Sequence, residues 1–244
     1  MKPYKRVLVK LSGAAVAGGS GFGFDNDSLS GIVDELLALV ERGVQMGVVI
    51  GGGNIMRGNT ASYWGIDRVE ADNIGMLGTV LNSLMLRGAL TSRLTAGQQV
   101  RVMTSLPIAA VAEPFIRLKA VKHLDKGHIV IFAGGNGQPF VTTDYPSVQR
   151  ALETECEAVL VAKNGTDGVY DKDPNIYKDA VKHERLTYDE VIRGDLRVMD
   201  PSAFILARDH NLPIHVFDIT EKGALVALCQ GESVGTKIGS AASF

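Results

Sequence analysis

Cysteine is nearly absent from this chain. Cys156 and Cys229 are the only two in 244 residues, they lie far apart, and they have no metal-ligand spacing. That excludes a disulfide-stapled scaffold and a zinc finger, and it reads as reduced thiols of a cytosolic protein. His123, His128, His183, His210 and His215 likewise show no metal spacing, and none is assigned to catalysis. No charge of one sign dominates: 27 acidic residues face 25 basic ones, for a net charge of -2. A basic face for nucleic acid is therefore not expected, and any anion must be held locally. Long hydrophobic runs are missing too. No apolar stretch approaches the ~20 residues needed to cross a bilayer. Lys10 interrupts the first apolar segment before it could serve as the core of a signal peptide. Linkers, low-complexity runs and internal repeats are also lacking. The expectation is one soluble, cytoplasmic domain over residues 1–244 without membrane or nucleic-acid partners.

What is present is the pattern of a layered α/β protein. Apolar runs at Arg6–Leu11, Gln45–Ile50, Val100–Thr104, His128–Ala133, Ala158–Lys163 and Ile214–Phe217 read as strands buried on both faces. Such strands imply a mostly parallel sheet between helices, a three-layer αβα sandwich. Helical spacing runs from Asp27 or Ser28 to Arg42 with Gly43 as a stop. It recurs from Asp67 to Leu94, from Arg117 to Lys126, from Thr143 to Glu155, and from Pro201 to His210. The final residues, Ser240 to Phe244, are small and expected to fray.

Two glycine loops, each with a cation, follow two of these strands. Lys10-Leu11-Ser12-Gly13 ends the first, with a glycine-rich run from Gly18 to Gly23 beyond it. Gly51-Gly52-Gly53-Asn54 follows the second, with Arg57 close behind. Lys10 precedes its glycines, so this is not a Walker loop. The triple glycine follows the wrong strand for a dinucleotide fingerprint, and no acid ends the next one. Successive amides and two cations suit a site that handles more than one phosphate. A strand-edge lysine and plain turns remain the alternative. Asp72 lies on the long helix, either as a ribose-binding acid or as a solvated charge. A third loop, Gly134 to Asp144, carries the amides, hydroxyls and aromatic that suit a flat neutral heterocycle. Asp144 either caps a helix or orients Lys10 and a magnesium-bound water. A fourth loop, Lys163 to Pro174, offers Asn164, Tyr170 and Asp173, or is simply a hairpin with an Asp-Gly turn.

In this order the loops resemble the bacterial uridylate kinase family, of the amino-acid-kinase fold. The matching pieces are Lys10-Leu11-Ser12-Gly13, Gly21-Phe22-Gly23, Val48 to Asn54, Arg57-Gly58, Asp72 with Gly75 to Thr79, and Pro139-Phe140 with Thr142-Thr143-Asp144. Further on come Ala162 to Gly165, Asp167 to Tyr170, Asp173-Pro174, Val198-Met199-Asp200 and Ala207 to His210. The resemblance implies transfer of the γ-phosphate of ATP to UMP with magnesium, in a hexamer activated by GTP and inhibited by UTP. Lys10, Arg57 and Asp144 would be catalytic. Lys10, Leu11, Ser12, Gly13, Gly53, Arg57, Asn164, Tyr170 and Asp173 would hold ATP. Gly52, Asp72 and the stretch Asn136, Gly137, Gln138, Pro139, Phe140, Val141, Thr142 and Thr143 would hold UMP. Gly18, Gly19, Ser20, Gly21, Phe22 and Gly23 would form the GTP-response region. On this reading residues up to about 140 carry the acceptor and phosphate loops, and residues 141–244 bind ATP. The alternatives are a carboxylate kinase of the same fold and a non-catalytic nucleotide sensor. Ala14 stands where the family usually has glutamate. Asn136-Gly137-Gln138 and Tyr145-Pro146-Ser147 also depart from its pattern.

Overall fold

The computed structural model describes residues 2–56, 58–95, 97–196 and 198–243, without the side chains of residues 58–60 and 243. Eleven strands are formed among them: β1 (Arg6–Leu11), β2 (Gln45–Ile50), β3 (Val100–Thr104), β4 (Glu113–Pro114), β5 (Ile129–Ala133), β6 (Ala158–Lys163), β7 (Val169–Tyr170), β8 (Lys182–His183), β9 (Arg185–Thr187), β10 (Ile214–Asp218) and β11 (Thr236–Gly239). The helices are α1 (Gly13–Ala17), α2 (Asn26–Val40), α3 (Gly58–Tyr63), α4 (Arg68–Thr91), α5 (Arg117–Asp125), α6 (Asp144–Glu153), α7 (Tyr188–Arg193), α8 (Pro201–Asp209) and α9 (Ala224–Gln230). Nine strands join one sheet in the order β4-β3-β5-β2-β1-β6-β10-β11-β9. All neighbours pair in parallel except β10 with β11.

Alternation along the strands divides the interior into two cores. Val7, Val9 and Leu11 of β1 join Val48, Leu160 and the inner faces of α2, α4 and α9. Leu8 joins Val49, Val161, Phe132 and residues of α5, α6, α7 and α8 on the opposite face. Each fully buried aliphatic or aromatic side chain contributes about 1.5–3 kcal/mol relative to exposure. The same parity places Lys10 on the Leu8 face, toward α6. Lys163, at the end of the adjacent β6, shares the face of Val159 and Val161. Two cations thus leave one face of the sheet at the carboxyl ends of neighbouring strands. Because β2 and β6 flank β1 on opposite sides, the chain reverses its winding there, which is where open α/β sheets form their crevices.

Several local expectations change. The cap of α2 is Asp25, whose carboxylate accepts from Ser28 N at 2.8 Å; Asp27 lies inside the first turn. α6 starts at Asp144 with no side-chain cap, because Thr143 already has helical backbone angles. The fourth loop is no tight Asp-Gly hairpin: β7 pairs with β8, so residues 171–181 form a longer excursion between them. α4, at 24 residues, has the length and composition of a bilayer-crossing helix, contrary to the expectation of no such stretch. Its inner residues, among them Val80, Leu86 and Leu90, are instead packed in the first core. Both cysteines are buried and unpaired, and burial pushes their thiols up to about 11 at Cys156 and about 12 at Cys229.

Candidate functional site

The loops after β1, β2, β5 and β6 all emerge at one edge of the sheet. Lys10 Nζ meets Asp144 Oδ1 at 2.7 Å, both side chains being mostly buried. Asp144 therefore does not act as a cap. Its second oxygen accepts from Asp200 N at 3.1 Å, and the Asp200 carboxylate accepts from Thr142 Oγ1. The lysine is thus fixed by a carboxylate that is itself fixed. Lys163 lies within electrostatic reach of Lys10: burial, then the charge of Lys10, push the Lys163 ammonium down to about 8, against the pull of Asp144. Lys163 Nζ donates to Val198 O at 2.7 Å. The sequence reading gave this lysine no role, although its strand parity relative to Lys10 was a usable signal. Asp200 was missed in the same way.

The glycines of the first two loops serve close backbone approach. A Cβ on Gly13 would meet Gly51 O and Gly53 N at 2.8 Å, and one on Gly52 would meet Gly75 O of α4 at 2.2 Å. Only Gly53 of the triple glycine faces open space within 4 Å. Ser12 caps α1 by accepting from Ala15 N. Asn54 is buried; its amide donates to Gly23 O at 2.8 Å and exchanges hydrogen bonds with Asn82 of α4, which also donates to Gly51 O at 2.7 Å. The third loop is tied to the same helix, since Gly134 N donates to Thr79 Oγ1 at 2.8 Å. From behind, Ser105 Oγ donates to Gly135 O at 2.9 Å and accepts from the buried Arg150 at 2.8 Å.

Two cavities open on this edge. The first, about 410 Å³, is lined by Lys10, Ser12, Gly13, Ala14, Gly51, Gly52, Gly53, Asp72, Gly75, Thr79 and residues 141–143, among others. The second, about 440 Å³, lies over β6 and β7 and is lined by Lys163, Thr166, Tyr170, Asp171, Asp173, Leu196 and Val198, among others. The structure therefore gathers Lys10, Ser12, Gly13, Gly52, Gly53, Asp72, Val141, Thr142 and Thr143 around one space, and Tyr170 and Asp173 around the other. The Leu11 side chain is in the core and its carbonyl accepts from Gly51 N, so it offers no side chain to a ligand. Asn164 is exposed and lines neither cavity, and Asn136, Gly137, Gln138, Pro139 and Phe140 stand outside the first. Gly18–Ser20 form a single tight turn, and Phe22 is exposed beyond it. The expected Arg57 contact lies outside the described residues. Two cavities, one lined by the buried, carboxylate-paired Lys10 and the other by the half-buried Lys163, each offer a cation that can offset the charge of an anionic ligand.

Residues 5–218 match the model of the amino acid kinase family. A uridylate kinase of Frankia alni is 59% identical over 238 residues, covering 98% of this chain and 92% of that protein. Among solved structures, a UMP kinase from Bacillus anthracis aligns with a TM-score of 0.95 at 58% identity, covering 98% of each chain. A UMP kinase from Ureaplasma parvum aligns at 0.89 with 30% identity, over 98% of this chain and 100% of that one.

Proposed function

We propose, from the premise that this chain belongs to the amino acid kinase family and groups with its uridylate kinases, that it transfers the γ-phosphate of ATP to UMP, giving ADP and UDP. The observation that carries this is the pair Lys10 and Lys163, which stand at the ends of adjacent strands and each line one of the two cavities. The first cavity takes UMP and the second the nucleoside of ATP, so the amino-terminal part of the chain supplies the acceptor loops and residues 141–244 most of the donor wall.

The acceptor phosphate is already an anion at neutral pH, so no general base is needed; in-line positioning and charge neutralisation suffice. Lys10, held by Asp144, offsets charge on the moving phosphoryl group, and Lys163 does so from the donor side. Arg57 follows Met56, which lines the first cavity, and is assigned a phosphate contact from its sequence position alone. Gly53 and Gly13 amides face the phosphates, Ser12 and Tyr170 the donor, and Asp72 and Thr142–Thr143 the acceptor. Among the described residues no group of three or more His, Cys, Asp or Glu could cage a metal. The local donors are the carboxylates of Asp144 and Asp200, which fit a magnesium carried by ATP phosphates rather than a protein-only site. Bound there, magnesium would neutralise phosphate charge. The same reading includes a cytoplasmic homo-hexamer, with GTP activation through residues 18–23 and UTP inhibition. The hydrogen bonds of Asn54 to Gly23 support a link between that segment and the phosphate loop.

A coupled ADP-release assay with ATP and magnesium tests the assignment against UMP, CMP, dTMP, N-acetylglutamate and glutamate. Turnover with UMP alone is expected. Turnover with an amino acid would move the chain to the carboxylate kinases, and silence with all five would make it a sensor.

A further inference from the structure

Folding alone does not account for Phe140. It is a bulky residue in left-handed backbone, with φ of 66°, where its Cβ crowds the chain. The residue is 66% exposed, so core burial does not offset that strain. Three contacts hold it. Phe140 N donates to Asp72 Oδ2 at 2.8 Å. Arg68 Nε donates to both oxygens of Asp72, at 2.9 and 2.8 Å. The Arg68 guanidinium carbon stands 5.7 Å from the centroid of the Phe140 ring, within cation–π range. The first turns of α4 are thereby latched to the third loop. Of the three members, only Asp72 lines the first cavity, and none lines the second.

We propose that Arg68 is a positioning residue for the acceptor nucleotide. It aims the Asp72 carboxylate into the cavity and holds the wall from Phe140 to Thr143 in place before UMP arrives. The inference rests on the reading that UMP occupies this cavity with its ribose at Asp72. A carboxylate offers about four lone-pair sites. The latch leaves room on Asp72 for a sugar hydroxyl while fixing its direction. Without Arg68, the strained turn loses the partner that orients its anchor. The population with a formed wall then falls, and apparent acceptor affinity falls in proportion. The ion pair joins an exposed Arg68 to a half-buried Asp72 at i,i+4 on a helix, a kind of pair that contributes little to folding stability. Its loss therefore acts on the site and not on the fold. The donor cavity shares no latch residue, so ATP binding is unaffected.

The test compares the wild-type chain with Arg68→Ala and Arg68→Lys in steady-state kinetics, melting temperature and amide exchange at Phe140. In Arg68→Ala, KM for UMP rises by roughly tenfold while kcat and KM for ATP stay within about twofold. The melting temperature holds, and the Phe140 amide exchanges faster. Arg68→Lys keeps a cation beside Asp72 and recovers most of the loss. An unchanged KM for UMP in Arg68→Ala overturns the inference while leaving UMP as substrate. So does a parallel rise in both KM values with a lowered melting temperature, which marks a structural role only. A wild-type chain that neither binds nor phosphorylates UMP sinks the reading of the site, and the positioning role with it.

Discussion

At the scale of single residues, the proposed transfer rests on two lysines in different electrostatic settings. Lys10 has a carboxylate partner at 2.7 Å. Lys163 donates to the Val198 carbonyl, and its ammonium is pushed down to about 8. Lys10→Ala should lower turnover by about two to four orders of magnitude with the circular dichroism and melting temperature retained. Near-normal turnover would remove Lys10 from the mechanism. For Lys163, the charged form is the useful one, so kcat should decline as pH rises through about 8. Lys163→Arg, which stays charged, should flatten that alkaline limb even if its absolute rate is lower. The stability sign runs the other way. Between about 8 and 10.5 the unfolded lysine binds more proton than the folded one, so this group's penalty on stability is relieved as pH rises across that window. Lys10 was readable in the sequence because a charge at the end of an apolar strand beside glycines breaks a pattern. Lys163 was passed over because its loop offered more conspicuous polar residues. For Asp144 the sequence shows that an acid begins a helix, but not that the lysine lies within reach.

At the scale of elements, α4 organises the site. It supports the second loop through Gly75 and Asn82 and the third through Thr79 and Asp72. Gly52→Ala forces a Cβ against backbone on α4, at 2.2 Å from Gly75 O, where no side chain can yield. It should cost about 1–3 kcal/mol in urea unfolding and weaken UMP binding. Gly53→Ala meets nothing within 4 Å. It should leave unfolding within about 0.5 kcal/mol of wild type while raising KM for nucleotide. If the two variants behave alike, the open face at Gly53 is not the ligand face. Elsewhere, buried Glu35 of α2 accepts from Gly223 N at 2.6 Å and Leu225 N at 3.3 Å, capping α9 from a distant element. Glu35→Ala strands both amides and should cost about 1–3 kcal/mol with an unchanged denaturant slope, and Glu35→Gln less. Such long-range caps cannot be read from spacing. The six strands were legible because burial on both faces leaves an unbroken apolar run. β11 went unread because it is short and interrupted by Lys237. The third loop's contents were legible, but sequence could not show that Gly135 and residues 141–143 line the cavity while residues 136–140 stand outside it.

At the scale of the whole molecule, the sheet carries a buried titratable group far from the site. His215 of β10 is pushed down to about 4, mainly by burial with a smaller effect of Lys237, and its Nε2 lies 2.9 Å from Tyr4 Oη. The folded histidine stays neutral where the unfolded one takes a proton. Stability is therefore fully present above about 6.5 and is lost as pH falls toward about 4. His215→Gln should flatten the fall of melting temperature over that window, whatever it does to the plateau. An unaltered slope would assign acid sensitivity to other groups. The alternating parity of β1 also has a consequence for how the molecule can change. Lys10 is rooted in a strand inside the sheet, whereas the acceptor wall of the proposed function is partly built from the segment between β5 and α6, which brings Gly135 and Val141–Thr143 to the first cavity. Transfer and recognition are thus mounted on separate parts, like a fixed drive and an exchangeable bit. The parts meet at Thr142, whose hydroxyl reaches the Asp200 carboxylate behind the Lys10–Asp144 pair, so a replacement of this segment that keeps Thr142 leaves the support of Lys10 in place.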